Sequence, residues 1–289
     1  TAKNRGTAIK QFLLFCDAVG ILIEHRYPTE AYVIDLWLDS LIESVGGSTA
    51  EGKITSLSMW HEYHRVPFTY TNYRTRMLAG FRKLTDRKPN PPRAPVELDH
   101  LRQIRAFLDL NSPFGAAAWA ITSLATFGMF RIGELVKKLA SQHNGLLFIS
   151  GSKFTLTTDP TGRHPPFLTF HLPKDKVSKG KPVDVHVAFQ QGELDPLWAF
   201  ANHMRVNGQD VSRGMFSYRA REGGFREMTY SAFLKIVSEA VEANGGDHIS
   251  GHSFRIGGAT IYLRAGQPLE IVRRAGRWKS GHSFELYWR

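Results

Sequence analysis

The sequence predicts a mainly α-helical protein with a small antiparallel sheet, an α+β arrangement in two domains. Three observations carry this. Apolar residues recur at helical spacing from Ile9 to Leu84. The eight residues Lys88 to Pro95 then hold four prolines, which cannot continue a helix and suit an extended linker. Beyond them, helical patterns enclose several short strand patterns. At 289 residues and 42% hydrophobic content, each part has enough apolar material for a core of its own.

Taken in order, Ile9, Phe12, Leu13, Cys16 and Val19 give the first helix. An apolar run from Tyr32 to Ile42, opened by Pro28 and Thr29, gives the second. Ser48 and Glu51 have the spacing of a capping box ahead of Ile54, Leu57 and Trp60. Tyr73, Met77, Phe81 and Leu84 share one face of a fourth helix, so residues 1–88 read as a small helical bundle. Residues 89–97 are the linker and 98–289 the second domain. There, helices are expected over Leu98 to Leu108 and Ala116 to Thr126. Strands are expected over Leu146 to Ile149, Phe154 to Thr157, Phe167 to Leu172 and Val183 to Phe189. Pro173 to Pro182 is a lysine-rich hairpin tip. Thr229 caps a helix ending near Gly245-Gly246, His252 to Ala265 forms another, and shorter helical segments start at Pro268 and Ser280.

Composition narrows the partner. Lys and Arg outnumber Asp and Glu by 37 to 26, a formal charge of +11. Nucleic acid is the default partner of so basic a chain, the alternative being a solvated basic surface. The single cysteine, Cys16, excludes an intrachain disulfide and a cysteine-rich zinc site. Thr1 to Lys10 is polar, without a signal-peptide core, and no apolar stretch reaches membrane length, so an intracellular protein is expected. His61 and His64 lie one turn apart with no nearby Cys or further His to complete a metal site, and no P-loop is present. Neither a metal nor a nucleotide cofactor is expected.

The chemistry concentrates in three places. Arg131-Ile132-Gly133-Glu134-Leu135 follows an apolar helix. Gly251-His252-Ser253-Phe254-Arg255-Ile256-Gly257-Gly258 opens another, with His252 and Arg255 three apart and therefore on one face. Gly276-Arg277-Trp278 and then Glu285-Leu286-Tyr287-Trp288-Arg289 end the sequence.

In these motifs the sequence resembles the tyrosine recombinase and integrase family. The His-x-x-Arg motif, a Trp 23 residues after its Arg and a Tyr nine residues after that Trp carry the likeness, with Arg-x-x-Glu-Leu upstream. Trp278 stands where many members have a second histidine, a tryptophan choice that resembles the Cre and Flp enzymes. The wording around the motifs is most similar to recombinases of crypton and DIRS mobile elements. The likeness is strong over residues 131–289 and only architectural over 1–90. It implies a DNA-binding helical domain followed by a catalytic domain, a clamp around duplex DNA, and a homotetramer on DNA that is a monomer or dimer when free. Many members continue past the tyrosine into a helix that docks on a neighbouring subunit; here two residues follow Tyr287, so either a tail lies beyond this sequence or assembly differs, which bears on assembly and not on chemistry. In a eukaryotic host the resemblance implies the nucleus.

The residue types suit the implied reaction. Attack on a phosphodiester passes through a pentacoordinate phosphate with extra negative charge, which fixed cations stabilise. Arg131 and Arg255 never deprotonate and match phosphate oxygens. Glu134, one turn from Arg131, can brace it. His252 can donate to the phosphate or accept the tyrosine proton. Trp278 either donates its indole N–H to the phosphate or packs. Tyr287 is the nucleophile that gives a covalent intermediate. Tyr262, on an apolar helix between Ile261 and Leu263, is a packing residue instead. The family's general acid is a hairpin lysine. Lys174, directly after the strand Phe167 to Leu172, is the first choice, with Lys176, Lys179 and Lys181 as alternatives. Arg74, Arg76, Arg82, Lys83, Arg87, Lys88 and Arg93 form a basic run suited to backbone phosphates, and Arg273, Arg274 and Lys279 form a second; a solvated face is the alternative for both. The expected function is site-specific DNA cleavage and rejoining for a mobile element. A type IB topoisomerase or telomere resolvase, or a non-catalytic DNA-binding relative, would be the alternatives.

Overall fold

The computed structural model describes residues 2–42, 44–68, 72–85, 94–137, 154–173, 182–208, 213–246, 249–279 and 281–285. The chain divides into two compact units, Thr1–Pro92 and Arg93–Arg289. The protein is mainly helical with a small antiparallel sheet.

The first unit holds α1 (Ala2–Val19), the single turn α2 (Ile23–Arg26), α3 (Ala31–Leu41), α4 (Gly47–Tyr63) and α5 (Asn72–Thr85). Its core is Phe12, Cys16, Val33, Ile34, Trp37, Leu38, Ile54, Leu57, Leu78 and Phe81. Phe12 meets the Trp37 ring edge-on at 5.0 Å, a favoured aromatic geometry. Each large apolar side chain so buried stabilises by about 1.5–3 kcal/mol. Two expected core residues stay outside: Val19 and Leu84 are 54% and 69% exposed, and Leu78 fills the place on α5 instead. The capping box at Ser48 does not form, because α4 starts two residues earlier, with Gly46 as its N-cap. Gly47, the first residue of the helix, packs closely on α5: a Cβ there would lie 2.3 Å from Cγ of Arg82. Glu51 pairs with Arg82 instead. His61 is buried, with Nε2 accepting from the Thr29 N–H and Nδ1 donating to the Leu57 carbonyl, each at 2.9 Å. Burial lowers its pKa, so it serves the fold as a neutral ring.

The second unit is built around α7 (Pro113–Phe127), which follows α6 (Leu98–Phe107). Every residue from Gly115 to Phe127 is buried, as a helix apolar on all sides requires. Ser112 caps it, accepting from the Gly115 N–H at 3.1 Å. After the single turn α8 (Ile132–Leu135) come β1 (Phe154–Thr157), β2 (Phe167–Leu172) and β3 (Val183–Ala188), antiparallel in that order. Leu168, Phe170 and Leu172 alternate onto the buried face of β2, and Phe170 packs on Phe130 and Phe200. Leu172 pairs with Val183, the register of a β2–β3 hairpin. The expected strand Leu146 to Ile149 and residues 174–181 of the hairpin lie outside the described residues.

Then come α9 (Pro196–Asn207), a short ribbon of β4 (Tyr218–Arg219) and β5 (Phe225–Arg226), and α10 (Tyr230–Glu242). Thr229 caps α10 as its sequence predicts, accepting from the Ala232 N–H at 3.2 Å. The chain continues through α11 (Ser253–Arg264), α12 (Leu269–Ala275) and α13 (Gly281–Glu285). Among the described residues no helix is long and apolar enough to cross a membrane. Contact between α11 and the end of α7 is close: a Cβ on Gly258 would lie 2.0 Å from the Thr126 carbonyl oxygen. Glycine at that position lets the helix bearing Arg255 approach the turn that leads to Arg131.

Candidate active site

That turn begins where α7 stops at Gly128. Met129 adopts φ +46°, uncommon for a residue with a side chain. The reversal brings the Phe130 N–H onto the Ala125 carbonyl at 3.1 Å and makes Arg131 the N-cap of α8. Glu134, at the third helical position, reaches back. Its Oε2 accepts from the Arg131 backbone N–H at 2.9 Å and its Oε1 from Arg131 Nη1 at 2.8 Å. The brace suggested by the Arg-x-x-Glu spacing is therefore present. The Arg131 side chain remains 23% exposed.

Arg255 approaches from α11, one turn after His252, which occupies the N-cap and is half-buried. Arg255 is 2% exposed. Its Nη1 donates to the Met129 carbonyl at 2.5 Å and its Nη2 to the Gly276 carbonyl. Its guanidinium carbon sits 4.2 Å from the centre of a Trp278 ring. Carbonyl dipoles and the aromatic face thus replace part of the water a buried cation has lost. Trp278 is itself buried, packed with Met129, Ala259, Val272 and Phe284.

One residue in this cluster had no assigned role. Arg277 extends its fork to Glu134, Nη2 to Oε2 at 2.9 Å and Nη1 to Oε1 at 3.3 Å. Burial alone would push the Glu134 carboxyl up; the guanidinium of Arg277, then that of Arg131, outweighs it and holds the carboxyl below the usual glutamate value. Two guanidinium groups thus share one carboxylate, with the Arg255 guanidinium held separately by carbonyls and the Trp278 face.

The remaining sequence-predicted residues divide. Tyr287 lies outside the described residues, two beyond the end of α13. Lys174, Lys176, Lys179 and Lys181 also lie outside them, between β2 and β3 in sequence. Tyr262 is a packing residue, its hydroxyl donating to the Phe127 carbonyl at 2.9 Å and its pKa pushed up to about 12 by burial. In the first unit, Arg76 and Lys83 are exposed on α5, Arg82 is paired with Glu51, and Arg74 is on the same helix. Arg87, Lys88 and Arg93 fall outside the described residues. Arg273 and Arg274 both bond Glu270, at 2.8 and 2.9 Å, and hold its carboxyl down at about 2. Arg273 also donates to the carbonyls of Trp278 and Lys279, so it shapes the turn that carries Trp278. Lys279 is exposed.

The chain shares its fold with tyrosine recombinases and integrases. It is similar to a chain of a lambda integrase tetramer bound to a Holliday junction (14% identity, TM-score 0.58, 98% of this chain and 72% of that one). It is also similar to XerH site-specific recombinase in a post-cleavage complex with palindromic difH substrate (11% identity, TM-score 0.55, 94% of this chain and 72% of that one). A lambda integrase dimer bound to a COC′ core site aligns at 14% identity with TM-score 0.54 over 89% of this chain, which spans 63% of that chain's length. No protein-family model and no curated protein matches the sequence.

Proposed function

We propose that this chain is a tyrosine site-specific DNA recombinase that cuts and rejoins strands through a 3′-phosphotyrosine at Tyr287. The observation that carries the reading is the joint fixation of Arg131 and Arg255. One is gripped by Glu134, the other by two carbonyls and the face of Trp278. Pre-oriented guanidinium groups stabilise developing charge without reorganising during the reaction. Their spacing in sequence from Tyr287, and the shared fold, point to the same chemistry.

In this reading the Tyr287 hydroxyl oxygen attacks phosphorus as its proton passes to His252. The bond from phosphorus to the 5′ oxygen breaks, and a hairpin lysine, Lys174 by preference, protonates that oxygen as it leaves. Arg131 and Arg255 bear on the non-bridging oxygens throughout. The reverse steps reseal the strand without an external energy source, since the phosphotyrosine conserves the bond. Arg76, Lys83, Lys279 and the hairpin lysines supply backbone contacts, and residues 1–88 form the DNA-binding domain. The acting form is a homotetramer on paired double-stranded sites of a crypton- or DIRS-like mobile element, in the nucleus of a eukaryotic host.

The test is a pair of assays on supercoiled plasmid carrying two copies of the DNA that borders the coding sequence. Exchange between the two copies is the expected result. Relaxation of the plasmid without exchange would replace the reading with a topoisomerase-like one, and binding without either would leave a DNA-binding relative.

A further inference from the structure

The tripeptide Gly276-Arg277-Trp278 touches both arginines of the proposed site. The Gly276 carbonyl and the Trp278 ring hold Arg255, and Arg277 grips the carboxylate that holds Arg131. Its middle residue stands in an unusual place. Arg277 lies one residue beyond the C-cap of α12 with φ +61°. Glycine is the default at such a position, because a Cβ there is strained. An arginine occupies it with its side chain only 8% exposed and both Nη atoms on Glu134. Gly276 beside it cannot carry a side chain, since a Cβ would lie 1.6 Å from the folded-back Trp278 ring. Backbone strain retained around a buried, doubly bonded guanidinium indicates that the contact is what the turn is built to make.

We infer that Arg277 is a positioning residue for Arg131: it fixes the Glu134 carboxylate in the orientation from which that carboxylate grips the Arg131 guanidinium and backbone N–H. The catalytic consequence rests on the recombinase reading, while the structural one rests on the contacts alone. Both Glu134 oxygens are shared between the two arginines, so loss of the Arg277 fork frees the carboxylate to rotate and to pair with Arg131 in other ways. A lysine supplies charge but cannot span both oxygens. One turn thus touches both of the proposed phosphate-binding groups.

Arg277→Gly is the informative variant, because glycine suits φ +61° and the side chain is lost without a backbone penalty. Covalent adduct formation is timed on nicked duplexes made from the DNA bordering the coding sequence, for Arg277→Gly, Arg277→Lys, Glu134→Gln and the Arg277→Gly/Glu134→Gln double variant. Arg277→Gly should cleave about 100-fold more slowly, the scale of loss from a slightly misplaced group. Its affinity for the intact duplex should stay within about three-fold, because many phosphates share the binding. Arg277→Lys should recover part of the rate. Losses through a shared carboxylate do not add, so the double variant should be no more than about two-fold slower than the slower single one. Additive losses, or a wild-type rate in Arg277→Gly, would overturn the proposal. If the unmodified protein forms no adduct with any duplex, the recombinase reading fails. The crystal structure of DNA-free Arg277→Gly then decides the positioning claim: Arg131 leaving Glu134 sustains it, and an unchanged Arg131–Glu134 pair overturns it. Should Arg277→Gly fail to fold, Arg277→Lys, which keeps the buried charge, carries the same comparisons.

Discussion

Trp278 offers a π face and a single indole N–H, and the sequence left both uses open. The structure puts the Arg255 guanidinium on its face and Phe284 against it, with ring centroids 4.9 Å apart. The face is therefore the part tied to the arginine. Trp278→Phe should keep cleavage within about ten-fold of the unmodified protein, since a cation–π contact is worth about 1 kcal/mol and much of it survives on a phenyl ring. Trp278→Ala should lose far more rate and destabilise the protein by about 3–5 kcal/mol in urea unfolding, from the cavity it leaves. Trp278→His, which keeps a donor but little face, should resemble the alanine variant. Near-normal cleavage by the histidine variant together with a slow phenylalanine variant would assign the role to the N–H instead. At this scale, contacts within one helical turn were legible: the Arg131–Glu134 brace follows from i, i+3 spacing. Arg277 was not, although it stands between two residues of a recognised motif. Its partner lies 143 residues away, and no local periodicity encodes such a contact.

Helix α9 shows what element-level reading missed and why. Asp195-Pro196 is a helix start, and Asp195 does accept from the N–H groups of Leu197 and Trp198. The helix buries Asn202, His203 and Asn207 along with Ala199 and Phe200, so its inner face is not an apolar stripe. His203 makes polar contacts that substitute for water: Nε2 donates to the Met215 carbonyl at 2.9 Å and Nδ1 accepts from the Asn207 amide at 3.0 Å. Burial lowers its pKa to about 4 from an ordinary value of 6.5. The unfolded chain therefore binds this proton first as pH falls. Stability from the neutral ring is complete above pH 6.5 and lost on descent towards pH 4, by about 3 kcal/mol if the shift acts alone. Urea unfolding across that window should show the loss, and His203→Gln should flatten it. An equal slope in both proteins would remove His203 from the account. Local signals also differed from the packed structure elsewhere: Gly46 and not Ser48 caps α4, and on α5 Leu78 is buried while Leu84 is exposed.

Across the whole molecule, the fold class was readable because period and composition change together. Helical spacing runs through the first unit, prolines interrupt it, and period-2 segments appear only in the second. The +11 charge was a weaker guide to individual contacts. Arg82, Arg273 and Arg274 belong to the basic runs, yet each meets a carboxylate of its own unit. Such pairs at exposed carboxylates hold little free energy, and of the three arginines Arg273 also bonds backbone carbonyls and so shapes a turn. Nicked duplex from the bordering DNA, incubated with the protein and digested with protease, should yield a peptide carrying a nucleotide 3′-phosphate on Tyr287 by mass spectrometry. Tyr287→Phe should form no adduct while binding the same duplex within about three-fold, because phosphate contacts spread over the surface carry the affinity. An adduct on any other residue, or adduct formation undiminished in Tyr287→Phe, would contradict the account.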